Sequence, residues 1–486
     1  MSEPADFTYR VGGSVGSRAR RLGLWFNPAF YAFVSATLTW LVVIWRQVPC
    51  RPLPGDAFPN PFMRMCYSDI PILYLNRDLS IGSGIYTDIS LEYPVLTGGF
   101  VAVTRAVTAL LGATISPDAS FDERLAASQL FFQVNAIVLF ICFLVTVLVH
   151  LRIGRGSPEG GFAGPVRVWD ALLISASPIV ALNGLVNWDL FAVMLTSIGL
   201  LIWSRRYPFI AGAVLGLAFA AKFYPVLVLI AITLVCVRSG QLRAIARLWL
   251  GALAAWLVVN VPVMIVAWQG WTQFWTLNAD RGADLGSIWY VLTLAGLEIP
   301  AVSAIAFVCM AVCGIGVCWL VLRAPRRPRV AQVVLLVMLC FLIFNKVYSP
   351  QYALWLLPIV VLARPKVRDV AIWTLGEAVY FAAIWGFLEG MIGVGTDWEW
   401  IYWIAVIARI FVQVWFAMRV IDDIRFPWSD PVRMPMVDDP LGGVVNHAPD
   451  AAWVAALQDR ARAAARARRA TREDGSDEVA VTGDAR

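Results

Sequence analysis

LAASQLFFQVNAIVLFICFLVTVLVHL, residues 125–151, runs without a single Asp, Glu, Lys or Arg. As a helix it is longer than the roughly 30 Å hydrocarbon core of a bilayer. Similar apolar blocks recur along the chain in both directions, continuous rather than striped or alternating. Hydrophobic residues make up 59% of the sequence and charged residues only 15%, against about a quarter charged in a soluble chain. The mean hydropathy is +0.70. A chain of this kind cannot cover its apolar surface in water, so it reads as an all-α polytopic membrane protein. Soluble enzymes, nucleic-acid readers and disulfide-dense secreted scaffolds are excluded as the main reading. So is a membrane β-barrel, whose strands would alternate.

The pattern predicts about twelve transmembrane helices, near 27–45, 125–151, 168–185, 188–204, 208–222, 224–238, 246–268, 301–322, 330–345, 352–363, 369–388 and 399–420. Several are short, which requires protein or a water-filled cavity around them. With the N-terminus cytoplasmic, the short inner loops carry Arg152, Arg155 and Arg167; Arg205 and Arg206; Arg238, Arg243 and Arg247; Arg323, Arg326, Arg327 and Arg329; Arg364, Lys366 and Arg368. The short outer loops hold only Lys222, Arg281 and Lys346. This is a strong positive-inside bias, with both termini inside. It requires residues 91–113 not to cross. Thr97, Thr104, Arg105 and Thr108 share one helical face there, so the segment is expected to lie along the outer membrane surface as an interfacial helix. The first outer loop then spans 46–124. Residues 1–420 form the membrane domain. Residues 421–486 form a cytoplasmic tail, with Asp and Pro turns followed by an Ala/Arg-rich helix near 451–470. A solvated helix is the bland expectation for it, contact with anionic lipid the other.

The polar outliers gather on one side. In the first loop Tyr67-Ser68-Asp69, Arg77, Gly84-Ile85-Tyr86-Thr87-Asp88 and Glu92-Tyr93-Pro94 interleave acids, tyrosines and an arginine beside the membrane. Carboxylates can act as bases and arginine can pair with phosphate. The bland alternatives are a helix N-cap at Ser68 or Asp69 and a local ion pair from Arg77 to Asp78 or Asp88. Lys222, Lys346 and Lys366 are the only lysines among 39 basic residues. Lys222-Phe-Tyr-Pro and Lys346-Val-Tyr-Ser-Pro each end a helix running outward, either snorkelling or converging on an anion. Asn187-Trp188-Asp189 and Asp280-Arg281 occupy the other outer turns. Cys50 and Cys66 are the only outer cysteines; they either bridge, restraining the loop before Asp69, or remain free thiols. With only His150 and His447 as histidines, His-based metal sites and Ser/His/Asp catalysis have little support.

Together Tyr67-Ser68-Asp69-Ile70, Gly84-Ile85-Tyr86-Thr87-Asp88 and Glu92-Tyr93-Pro94 resemble the first outer loop of GT-C glycosyltransferases. Lys222-Phe223-Tyr224-Pro225 and Ser349-Pro350-Gln351-Tyr352-Ala353-Leu354-Trp355 are similar to one branch, the actinobacterial polyprenyl-phosphate-mannose-dependent α-mannosyltransferases. The likeness covers residues 27–420. It implies an outward-facing hexosyltransferase site in the plasma membrane, a polyprenyl-phosphate-sugar donor, a lipid or glycan acceptor and no nucleic acid. Asp69 matches the family's catalytic acid. Ile70 and Pro71 follow it where relatives carry a second acid, so no metal or other cofactor is expected. Lys222, Lys346 and Arg281 are then the expected donor phosphate clamp. Arg77, Asp88, Glu92, Asn187, Asp189 and Gln351 are the expected sugar or acceptor contacts. The rival readings are a transporter or flippase of a lipid-linked or anionic substrate and a non-catalytic envelope-assembly protein.

Overall fold

The computed structural model describes residues 27–52, 59–89, 91–155, 167–433 and 438–459. Regular structure among them is helical, apart from one isolated bridge between Ile85 and Ile89. The helices are α1 (Pro28–Gln47), α2 (Asp69–Asn76), α3 (Val95–Leu110), α4 (Phe121–Gly154), α5 (Leu172–Ser175), α6 (Pro178–Asn183), α7 (Asp189–Ser204), α8 (Pro208–Ala221), α9 (Pro225–Arg238), α10 (Leu242–Val266), α11 (Trp268–Asp280), α12 (Ile288–Leu294), α13 (Val302–Arg323), α14 (Val330–Phe344), α15 (Ala353–Ala363), α16 (Val367–Leu388) and α17 (Glu399–Arg425).

Six of them are long and apolar enough to cross a membrane: α1 with its short extension to Cys50, α4, α10, α13, α16 and α17. Shorter apolar helices make up the remaining predicted spans. Burial differs widely from helix to helix. Only 17% of the apolar window of α10, and the same share of α13, is buried. Nearly every residue of α14 and α15 is buried. α14 and α15 thus lie at the centre, where protein rather than lipid surrounds their ends, and α10 and α13 stand at the edge; the long helices α4 and α16 are more than half buried. Close approach at the edge depends on absent side chains. A Cβ on Gly212 would lie 1.9 Å from the Leu248 carbonyl oxygen, and one on Gly216 2.2 Å from that of Ala252. This Gly-x-x-x-Gly spacing lets α8 lie against α10.

Three expectations change. The predicted span 168–185 is not one helix. It is a 3-10 turn, then α5, then α6, restarted where Ser177 caps the helix beginning at Pro178. The threonine face of α3 does not meet water. Thr97, Thr104 and Thr108 are buried against the protein, and Val103, Val107 and Leu110 are the exposed side chains. Thr97 donates to the Ala221 carbonyl at 2.6 Å, whereas Thr104 and Thr108 satisfy carbonyls of their own helix. Hydroxyls used this way bury without penalty.

The third change concerns the tail. Described residues beyond α17 pack under the helix ends rather than hanging in solvent, with Leu441, Val445 and Val454 all buried. Asp430 pairs with Arg329, Asp438 with Arg326 and Arg327, and Asp450 with Arg238. Several arginines that mark the inner loops are therefore bound to this segment. Residues 452–459 are helical; the rest of the expected basic helix, and the N-terminal 26 residues, lie outside the described residues.

Candidate active site

The loop expected on the outer side is tied down at the start of α2. Cys50 and Cys66 form a disulfide with Cα atoms 5.9 Å apart. Arg46, at the end of α1, donates to the Ala181 carbonyl at 3.1 Å and also to those of Leu182 and Met65. Ser68 caps α2, its hydroxyl accepting from the Ile70 amide. Asp69 is the first helical residue, and its amide donates to the Val186 carbonyl at 2.8 Å. The capping duty that sequence left between Ser68 and Asp69 falls to Ser68, which leaves the Asp69 carboxylate for other work.

That carboxylate is partly buried and held on both oxygens. Tyr67 donates its hydroxyl to Oδ1 at 2.7 Å. Asn187 donates to Oδ2 at 2.8 Å, and to the Tyr93 hydroxyl at 2.7 Å. Burial raises the Asp69 pKa above the ordinary range; the Tyr67 bond, the Lys222 charge and the Asn187 bond oppose it, and the Asp189 charge adds to it. Oδ2 also accepts from the Tyr93 hydroxyl at 3.4 Å, whereas Oδ1 keeps a second lone pair able to accept a proton. The result is a carboxylate more basic than usual, oriented by three residues from two distant parts of the chain.

Lys222 lies beside it. Its Nζ is 3.2 Å from Asp189 Oδ1 and 4.9 Å from the Tyr93 ring centroid. Asp189 is fully buried and also accepts from the Trp355 indole at 2.6 Å. Asp189, expected as a sugar contact, is the counter-ion of Lys222. An aromatic row leads away from this lysine. Phe223 meets Phe219 at 6.0 Å, Phe219 meets Trp275 at 6.3 Å, and Trp271 lies 6.2 Å from Trp275 and 5.2 Å from Trp268, which is largely exposed.

The other expected residues divide. Lys346 donates to the carbonyls of Asn278 and Ala279 and to the Ser303 hydroxyl, at 3.0–3.2 Å. All three ammonium protons are engaged, and the lysine caps the C-terminal end of α11. The expected phosphate ligand is thus held by backbone and hydroxyl oxygens. Arg281 pairs with Asp284 at 2.6 Å and remains exposed. Arg77 pairs with Glu92, not with Asp78 or Asp88. Asp88 closes its own turn, accepting from the Gly84 amide at 2.6 Å. Tyr86 instead anchors the loop, donating to the carbonyls of Tyr93 and Pro94. Gln351 is buried near the start of α15. A cavity of about 290 Å³ lies beside α2, walled by the disulfide, Ile72, Leu75, Leu125 and Phe132; Asp69 is not among its walls. Among the described residues no three His, Cys, Asp or Glu side chains form a group able to hold a metal ion.

Sequence reasoning missed a second polar cluster, Glu377, Arg409 and Gln413, buried in α16 and α17. The signal was present: ionisable residues inside apolar spans are rare and need partners. Comparison with protein-family models and with curated protein sequences returns no match.

Proposed function

We propose that the chain is an integral membrane glycosyltransferase that moves a mannosyl residue from a polyprenyl-phosphate donor to a glycolipid or glycan acceptor on the outer face, with inversion. The reading includes twelve crossings, both termini cytoplasmic and a site facing outward. The observation that carries it is the Asp69 carboxylate, raised in basicity and held by Tyr67 and Asn187, with the Lys222 ammonium against the same Tyr93 ring. Asp69 takes the proton from the acceptor hydroxyl as its oxygen forms the bond to the sugar's anomeric carbon. The bond from that carbon to the donor phosphate breaks on the opposite face, and the electron pair leaves with polyprenyl phosphate. Lys222 neutralises the departing phosphate, with the exposed Arg281 as the second cation. The partly exposed aromatic row beginning at Phe223 supports a donor with an apolar chain.

Purified protein incubated with labelled polyprenyl-phosphate-mannose and a membrane lipid extract should move label to a new acceptor. A transporter or flippase would relocate the donor unchanged, and that result would end the proposal. Topology has its own check. Cysteine at position 368, whose native side chain is 74% exposed, should react with an impermeant maleimide only from the cytoplasmic side. Cysteine in place of Gly282 should react only from outside; the reverse pattern would turn the site inward.

Lys222→Met tests the cation. Donor affinity should fall about tenfold or more, the worth of one charge-assisted hydrogen bond. Lys222 also lowers the Asp69 pKa, so its removal raises that pKa further. Because the base works ionised, the acid side of the rate profile should move to higher pH. A Lys222→Met/Asp189→Asn double variant, which avoids stranding a buried charge, controls for folding. Parental donor affinity and an unmoved acid limb would mean that Lys222 only snorkels.

A further inference from the structure

The second polar cluster grips two outer segments at once. Glu377, Arg409 and Gln413 are 3%, 1% and 0% exposed, in helices apolar enough to cross a membrane. Charges in such a place persist only where partners hold them. Glu377 accepts from the Tyr348 hydroxyl at 3.0 Å and from the Gln413 amide at 2.7 Å. The Arg409 guanidinium stands 3.5 Å from the Tyr348 ring centroid and 4.8 Å from that of Tyr380. Its Nη2 donates to the Gly286 carbonyl at 2.8 Å, and Tyr402 accepts from the Gly286 amide at 2.8 Å. Tyr380 donates to the Tyr348 carbonyl at 2.6 Å.

Two of these partners, Gly286 and Tyr348, belong to residues 284–287 and 346–348, which are also joined directly. The Asp284 amide donates to the Lys346 carbonyl at 2.8 Å, and the Tyr348 amide to that of Leu285 at 2.9 Å. The fit at Gly286 is tight. Its φ is +76°, and a Cβ there would lie 2.0 Å from the Tyr380 hydroxyl and 2.2 Å from the Tyr348 carbonyl oxygen. No other residue enters this position without displacing both.

The gripped segments reach the site in two ways. Residues 281–284 carry the Arg281–Asp284 pair. Tyr348 meets Tyr352 at 5.6 Å, Tyr352 stacks on Trp355 at 3.9 Å, and the Trp355 indole holds Asp189, the counter-ion of Lys222. Both cations that face the donor phosphate in the proposed reaction are thus tied to one buried arginine.

We propose that Arg409, supported by Glu377 and Gln413, is a positioning residue that fixes the 284–287 and 346–348 segments and through them the donor-phosphate cations. The role assigned to the cations rests on the transferase reading; the grip on the segments does not. Arg409 touches no reacting atom in this scheme. It acts from within the membrane domain on a site built from outer loops.

The test uses full-length protein in detergent micelles and two variants, Arg409→Gln and Tyr348→Phe. The second removes a single hydroxyl, and keeps the test alive should the first fail to fold. Hydrogen exchange measured by mass spectrometry reads the segments without reference to activity. Peptides covering 281–288 and 345–352 should exchange about tenfold faster or more in either folded variant, the scale of one lost charge-assisted hydrogen bond, whereas the peptide covering 69–76 should not change. Donor KM should rise and kcat should fall with it, because the cations both bind the phosphate and neutralise it as it departs. Unchanged exchange in both segments would overturn the proposal. Faster exchange with an unchanged donor KM would overturn the link to the cations. If the segments loosen but the parent transfers no mannose, the transferase reading fails while the grip on the segments stands.

Discussion

Asp69→Asn is expected to lower mannosyl transfer about 10²–10⁴-fold, the usual contribution of a positioned acid–base group. The substitution preserves shape and removes basicity. The amide oxygen can still accept from Tyr67, and Asn187 keeps its bond to the Tyr93 hydroxyl at 2.7 Å. Helix α2 should start as before, because Ser68 is the cap. Donor affinity should stay close to the parent's, since the phosphate is held by other residues. Stability should move the opposite way from activity. Burial raises the Asp69 pKa in the folded protein, so stability linked to this group is present below the ordinary Asp pKa and lost as pH rises through the raised value. At neutral pH the ionised carboxylate therefore works against folding, and the Asn variant should melt no lower than the parent. Donor affinity, transfer and melting are to be measured on one preparation. Near-normal transfer would remove Asp69 as the base, and no neighbouring acid readily replaces it: Glu92 is paired with Arg77, and Asp88 closes its own turn.

What sequence could deliver here depended on the range over which each signal acts. Apolar blocks are local, so α4, α10, α13, α16 and α17 were legible directly. The burial of α4 and α16, both long, was not legible in length or hydropathy. Asp69, Asn187, Asp189 and Lys222 were found because one topological argument sent polar outliers to one side, and the structure brings those four together. The same argument did not foresee the contacts of Lys346. A lysine ending a helix has the same local pattern whether it waits for an anion or caps another helix, and the cap on α11 comes from a segment nearly seventy residues away. Thr97, Thr104 and Thr108 were misread for a related reason. A threonine stripe is polar by composition, yet its hydroxyls are used by carbonyls at close range, and the stripe becomes a packing face. Arg409 and Glu377 were passed over because the apolar span around each outweighed the single charge in it.

The tail shows the same limit on a larger scale. Its aspartates read as turn formers, whereas the structure makes them partners of the inner-loop arginines. Arg329 is 1% exposed and Asp430 is fully buried. Their contact is two-pronged, Nε to Oδ2 at 2.8 Å and Nη2 to Oδ1 at 3.0 Å. Arg329 also donates to the carbonyls of Leu362 and Ala363, at the end of α15. One guanidinium thus joins the start of α14, the end of α15 and the tail. Asp430→Asn leaves that guanidinium buried beside a neutral group. The expected loss is about 3–5 kcal/mol, the scale for breaking a buried ion pair from one side. Equilibrium unfolding by denaturant in detergent measures it. Replacing both partners, Arg329→Met with Asp430→Leu, should recover much of the loss, since apolar pairs of similar volume often match a buried ion pair. Full recovery is not expected, because the α15 carbonyls lose their donor. The pH dependence has a definite sign. Burial pushes the Asp430 pKa up, but Arg329 outweighs it and holds the carboxyl below the ordinary range. The stability it contributes is present above the ordinary Asp pKa and lost as pH falls through the lowered value, and this acid-side loss should be absent in Asp430→Asn. Unchanged stability in Asp430→Asn would return the tail to the status of a solvated appendage. The predicted loss would make the described residues 430–433 and 438–459 part of the fold, and place the end of the membrane domain well beyond residue 420.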